Sequence, residues 1–253
     1  MVKTAIVMEA SWGIGRSIAD RLAEDGFAVI VHFSSHAREA DETVAAIMEA
    51  GGQAVALQAD VTREEEIKQL FETTLDQFGR IDVVVSHSGI MALSPMSRGD
   101  VDTFDKTIRT NLRGAFLVFA QAALHIADGG RIIGFSSIGV GTAPPSYGAY
   151  VASKAGVEGL VRVMAKELRK RQVCVNAVAL GPGATEHLLQ GMNGEQTARA
   201  GDLEPSQEIG ETRDILHVVS FLTGPDGGWV SGQVIPVTER LPDRREFMEL
   251  EVA

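Results

Sequence analysis

The sequence predicts an α/β fold: one doubly wound parallel sheet in a single domain, with helices on both faces. Three observations predict it. Apolar runs of strand length alternate with helical patterns along most of the 253 residues. The strand runs are nearly continuous in Val, Ile and Ala, as strands buried on both faces are. The first run passes directly into a glycine-bearing turn that opens a helix, Glu9-Ala-Ser-Trp-Gly13-Ile-Gly15. Open α/β sheets build an anion cradle in this way.

Each element follows from local pattern. Thr4–Met8 reads as the first strand, and Gly13–Asp25 as a helix with Ile14, Ile18 and Leu22 on one face. Ala28–Phe33 is the second strand, and Ala40–Ala50 a helix stopped by Gly51-Gly52. Ala54–Gln58, Glu64–Phe78 and the short buried strand Val83–Val85 follow. Val101–Ile126 reads as one long helix, Arg131–Phe135 as a strand, Ala149–Arg171 as a helix and Val173–Val178 as a strand. Asp214–Leu222 is helical, and Gln233–Val237 suits a last strand. The polar stretch from Leu188 to Gln207 is either a mobile lid or an ordinary surface excursion.

Composition narrows the function. A net charge of −11 argues against nucleic acid or an anionic membrane as partner. No apolar run reaches the roughly 18–20 residues that span a bilayer. No signal peptide precedes the first strand, so a cytoplasmic location is expected. The one cysteine, Cys174, lies in a strand pattern and is expected to pack in the core. It leaves no multi-cysteine metal site, and no metal is expected.

The chemistry concentrates around Tyr150-Val-Ala-Ser-Lys154. Residues four apart share a helix face. An ammonium beside a phenol favours phenolate, so Lys154 is expected to lower the pKa of Tyr150 from near 10 and make it an acid/base at neutral pH. Ser137 lies thirteen residues upstream, at the end of Arg131-Ile-Ile-Gly-Phe-Ser-Ser137. Asn111 stands mid-helix, where asparagine is a poor helix former and a side-chain task is expected.

With these residues the chain resembles the short-chain dehydrogenase/reductase family over nearly its whole length, and its 3-oxoacyl-[acyl-carrier-protein] reductase-like members most. The resemblance implies a Rossmann-type fold and a catalytic set of Asn111, Ser137, Tyr150 and Lys154. Tyr150 would pass the proton to or from the substrate oxygen, and Ser137 would hydrogen-bond that oxygen. Lys154 would tune Tyr150 and hold the nicotinamide ribose, and Asn111 would anchor a relay water. Cofactor contacts would come from Ser11, Trp12, Gly13, Ile14 and Gly15 in the first turn, and from Ser34 and Ser35 after the second strand. Asp60 and Val61 would follow the third strand, and Ser86, Ser88 and Gly89 the fourth. Tyr150 and Lys154, then Gly181, Pro182 and Thr185, would complete the set. The family's C-terminal pattern, matched by Gly224–Gln233, goes with homo-oligomers, tetramers or dimers.

The departures from the family pattern gather on the cofactor side. The usual Thr-Gly of the first turn is Met8-Glu9. Trp12 stands where NADP-using members often carry a basic residue. Ser86-His-Ser-Gly89 replaces Asn-Asn-Ala-Gly, and Leu180 a frequent proline. No acid follows the second strand to hold a ribose 2′-hydroxyl. Ser34, Ser35, His36 and Arg38 suit a 2′-phosphate better, so NADP(H) is expected ahead of NAD(H). Glu9 is expected either to face the cofactor phosphates, at a cost on the order of 1–4 kcal/mol, or to point into solvent. Two functions follow. One is an NAD(P)(H)-dependent oxidoreductase acting on a small carbonyl or alcohol substrate. The other is the same fold redirected to a non-redox acid/base step (isomerisation, elimination or cyclisation) or to ligand binding.

Overall fold

The computed structural model describes residues 2–181 and 212–237. Its order is β1 (Thr4–Val7), α1 (Gly13–Glu24), β2 (Ala28–Phe33), α2 (Ala37–Glu49), β3 (Gln53–Gln58), α3 (Glu64–Phe78) and β4 (Val83–Ser86). Then come α4 (Val101–Thr107), α5 (Gly114–His125), β5 (Arg131–Ser137), α6 (Gly139–Thr142), α7 (Gly148–Glu167) and β6 (Cys174–Leu180). Helix α8 (Thr212–Thr223) and β7 (Val234–Val237) close the described chain.

The strands form one sheet in the order β3-β2-β1-β4-β5-β6-β7, all parallel. The order reverses between β1 and β4. A cleft therefore opens at the carboxyl ends of these two strands, where open α/β sheets bind ligands. Two apolar layers hold the sheet. On one face Ile67, Leu70 and Phe71 of α3, Val118 and Phe119 of α5, and Val157 and Val161 of α7 pack on Ile6, Ile30, Val84 and Ile132. On the other, Ile14, Ile18 and Leu22 of α1, Ile47 of α2 and Ile215, Val219 and Leu222 of α8 pack on Val7, Val29, Val85 and Ile133. Cys174 is buried and donates its thiol to the Gly228 carbonyl at 3.3 Å, as a core thiol should.

The expected helix Val101–Ile126 is three pieces. A π-helical segment, Ile108–Arg113, separates α4 from α5. Asn111 lies within it. Such widened turns concentrate at functional sites, and periodicity alone does not show them, because the apolar face continues on either side. The short helix α6, between Ser137 and Tyr150, was also absent from the sequence pattern.

One buried polar side chain ties three strands together at the ligand-binding end. His32 is fully buried in β2. Its Nδ1 accepts the Glu9 N–H at 3.0 Å, so Nε2 carries the proton and donates to the Ala59 carbonyl at 2.9 Å. Burial pushes its pKa down from 6.5 to about 4. Below pH 6.5 the unfolded chain takes up a proton that the folded chain refuses. Stability present above that pH is therefore lost as pH falls toward 4, by about 3 kcal/mol in all. Urea unfolding of the wild type and of His32→Asn across this window checks it. The wild type is expected to lose about 3 kcal/mol more than the variant, and equal losses would remove His32 as the cause.

Candidate active site

Helix α7 lies over β5 and carries Tyr150 and Lys154 to the mouth of the cleft. The Lys154 side chain is buried, and its Nζ donates to the Phe135 carbonyl of β5 at 3.0 Å. The same amine sits 5.8 Å from the centre of the Tyr150 ring. Ser137, at the carboxyl end of β5, lies close enough to the Tyr150 hydroxyl to pull its pKa down. Its Oγ also accepts the Gly139 N–H at 3.1 Å, which fixes the serine against the start of α6. One turn deeper, Ser136 Oγ donates to the buried carboxylate of Glu158 at 2.7 Å, and Arg162 pairs with the other oxygen at 3.0 Å. Glu158 follows Lys154 by four residues and so lies on the same face of α7.

The electrostatics differ from the expectation that Lys154 lowers the Tyr150 pKa. Burial pushes Tyr150 up to about 12, against Ser137, which pulls it down. Burial pushes Lys154 down to about 8. Both groups lose their charged forms for one reason, removal from water. The amine is committed to the Phe135 backbone carbonyl and stands over the ring. Tyr150 is thus a neutral phenol, a proton donor, across the physiological range.

Asn111 works as a clamp. Its Oδ1 accepts the Ile90 N–H at 2.7 Å, and its Nδ2 donates to the Ile90 carbonyl at 2.8 Å and to Ser153 Oγ at 3.1 Å. Ser153 in turn donates to the Tyr150 carbonyl at 2.6 Å. The loop after β4, the π-helical segment and the start of α7 are locked together. Gly89 sits inside this junction. A Cβ there would lie 3.3 Å from Asn111 Oδ1 and 3.4 Å from Lys154 Nζ, so a side chain would wedge into the catalytic amine.

The first turn is built for close approach. Gly13 has φ +57° at the start of α1, and a Cβ on Gly15 would lie 1.9 Å from the Glu9 carbonyl oxygen. The first turn of α1 carries no acid to compete for its free N–H groups. The Ser11 and Ser88 hydroxyls are buried and have no hydrogen-bond partner among the described residues. A helix N-terminus opened by Gly13 and Gly15 and two orphaned hydroxyls near the strand ends fit a phosphate-bearing cofactor. Trp12 precedes α1 in extended conformation, its ring 5.9 Å from that of His36. Ser35 Oγ lies 3.1 Å from His36 Nδ1, and the Ser34 carbonyl accepts from Gln58 at 2.9 Å. Asp60 caps the approach to α3, accepting the Thr62 N–H at 2.8 Å. The Ile14 and Val61 side chains are buried in the core, which leaves only their backbone for a ligand. Ser86 is buried at the end of β4, in register with Gly134. Gly181, after β6, donates its N–H to the Val237 carbonyl at 3.1 Å. Pro182, Thr185 and the expected lid at 188–207 lie outside the described residues.

Glu9 does not point freely into solvent. Its backbone has φ +53°, a left-handed conformation that costs a non-glycine residue about 1 kcal/mol. His32 holds that conformation by accepting its N–H. Glu9 is half-buried beside the end of β2, with Ser34, His36 and Asp60 close enough to act on its carboxylate. Desolvation raises its pKa above the usual carboxylate value, with Asp60 adding to the rise, while Ser34 and His36 oppose it.

A family model described as Enoyl-(Acyl carrier protein) reductase matches residues 9–239. A short-chain type dehydrogenase/reductase of Picea abies is 37% identical over 246 residues, covering 93% of this chain and 90% of the relative. The chain belongs to the short-chain dehydrogenase/reductase family. An NADPH-dependent aldehyde reductase-like chloroplastic protein of Arabidopsis thaliana is 36% identical over 249 residues, covering 93% and 92%. Among solved structures, a blue fluorescent protein from a metagenomic library in complex with NADPH superposes with a TM-score of 0.89. It is 32% identical and covers 95% of this chain and 98% of its own.

As a short-chain dehydrogenase/reductase, the protein is an NAD(P)-dependent oxidoreductase. Within that frame the sequence reading missed His32, Ser153, Glu158 and the Ile90 backbone. A histidine inside the apolar run Ala28–Phe33 was the available signal for the first. The clamp makes a test. Asn111→Ala leaves the Ile90 N–H and carbonyl without their partner, and each orphaned group costs about 1–3 kcal/mol. Urea unfolding is expected to register a loss of about 2 kcal/mol or more, and a loss near zero would show that the junction holds without Asn111.

Proposed function

We propose that the protein is a ketoreductase-type enzyme that prefers NADP(H), with Asn111, Ser137, Tyr150 and Lys154 as its working residues. The observation that carries this reading is the buried Lys154 amine, held on the Phe135 carbonyl at 3.0 Å and standing 5.8 Å from the centre of the Tyr150 ring, with Ser137 beside the phenol at the cleft. When bound, the nicotinamide supplies or receives the hydride. The protein handles the proton. As negative charge develops on a substrate carbonyl oxygen, Tyr150 Oη gives it a proton and Ser137 steadies it through a hydrogen bond. A neutral phenol is the correct form for that donation. Alcohol oxidation needs the phenolate instead, so its rate rises with pH while reduction does not.

Ser11, Ser88, Gly89 and the first turn of α1 would hold the cofactor's diphosphate end, and Lys154 its ribose. The preference for NADP(H) rests on the absence of an acid among Ser34, Ser35 and His36, on Arg38 nearby, and on the NADPH named for two similar proteins. The substrate class is a small carbonyl or alcohol compound. Tyr147, its ring 6.3 Å from Tyr150, and the loop tied down by the Ser94 N–H to the Ser146 carbonyl at 3.0 Å flank the approach to the phenol. A homo-oligomer accompanies this reading, supported by exposed Phe104, Phe116 and Leu124 on α4 and α5 and Val163 on α7.

Two measurements test the proposal. Titration with NADPH and NADH, followed by nicotinamide fluorescence, is expected to saturate, and no binding at millimolar cofactor would remove the redox reading. Tyr150→Phe is expected to lower kcat by about 10²–10⁴-fold, with cofactor affinity changed only a few-fold. Turnover that survives this change would take the proton-transfer role from Tyr150.

A further inference from the structure

The acid that is missing after β2 is supplied from β1. The Rossmann rule places the ribose 2′ position at the carboxyl end of the second strand, beside the glycine turn of the first. Ser34 occupies that strand end, and Glu9 belongs to that turn. The turn is tied to β2 by the Ala10 N–H on the His32 carbonyl at 2.8 Å, and Ser34 is close enough to the Glu9 carboxylate to lower its pKa. The Glu9 carboxylate therefore stands on the ground where a 2′-hydroxyl or a 2′-phosphate would lie. It is held there, because the Glu9 N–H is fixed to His32 at 3.0 Å and its carbonyl oxygen is pressed against Gly15.

We propose that Glu9 is the residue that sets the choice between phosphorylated and unphosphorylated nicotinamide cofactors, and that its carboxylate holds the preference for NADP(H) down. This rests on the cofactor reading above. A carboxylate accepts hydrogen bonds from a ribose diol and repels a phosphate. The charged groups around it decide the balance. His36 faces it from the start of α2 and Asp60 from the end of β3. Arg38 is 81% exposed and is shared with Glu39 at 3.5 Å and Glu42 at 3.6 Å, so it compensates little. Trp12 puts an indole, not a cation, beside His36.

The test measures dissociation constants for NADPH and NADH at about pH 8 and low salt, by fluorescence, in the wild type, Glu9→Gln and Glu9→Gly. Gln keeps the shape and removes the charge. Gly suits the positive φ, so this variant is expected to fold. Both are expected to raise the ratio of NADPH to NADH affinity about tenfold or more. Binding of both cofactors with an unchanged ratio in both variants would overturn the role of Glu9 and leave the cofactor reading standing. Binding of neither cofactor to any of the three proteins would overturn both.

Discussion

The docking of α7 on β5 is the constraint on which the site depends. It is made by polar groups inside an apolar contact: the Lys154 amine on the Phe135 carbonyl, and Glu158 on the neighbouring Ser136 hydroxyl. Val157 and Val161 fill the space between them. Apolar packing alone tolerates a slide of the helix. Two hydrogen bonds from one helix face to adjacent residues of one strand do not. They fix the rotation and height of α7, and so set Tyr150 Oη against Ser137. Glu158 is a buried charge and would cost several kcal/mol alone, but Ser136 and Arg162 each take one of its oxygens.

The same docking explains the electrostatics. To reach the Phe135 carbonyl, the Lys154 amine must leave water, and that lowers its pKa to about 8. Tyr150 leaves water beside it and rises to about 12. A tyrosine–lysine pair on an exposed helix face would have moved the phenol the other way. The four-residue spacing is common to both situations. Burial decides between them, and burial belongs to the fold rather than to the motif.

That limit marks what the sequence made legible. The sheet, its helices and most strand boundaries followed from apolar period and glycine stops, because each depends on local pattern. The residues proposed for the proton step were picked out by type and spacing, and the fold brings Tyr150, Lys154 and Ser137 to one end of the sheet. The break of Val101–Ile126 at Asn111 was not legible, since a π-helical turn preserves the apolar face on both sides. Nor was the His32 bridge, which joins Glu9 to Ala59 across residues far apart in the chain. The position of Glu9 escaped for a similar reason. Its left-handed backbone and its closeness to Ser34 arise where β1 and β2 lie side by side in the sheet, and neither strand alone reveals the partner.

The departures from the family pattern then have a physical order. A diphosphate is held largely by backbone N–H groups at a helix start, and backbone survives a change of side chain. Met8 therefore costs the cradle little: it is a fully buried core residue whose N–H still pairs with Val85. Proton transfer has no such tolerance, since it needs one hydroxyl at one place, and Tyr150, Ser137, Lys154 and Asn111 all remain. Between these extremes lies recognition of the 2′ position, where side chains do the reading but chemistry does not depend on them. A carboxylate can enter there and alter which cofactor binds while the catalytic geometry stays intact. That is the role proposed for Glu9, whose N–H is fixed to His32 of β2, the strand whose end lacks an acid.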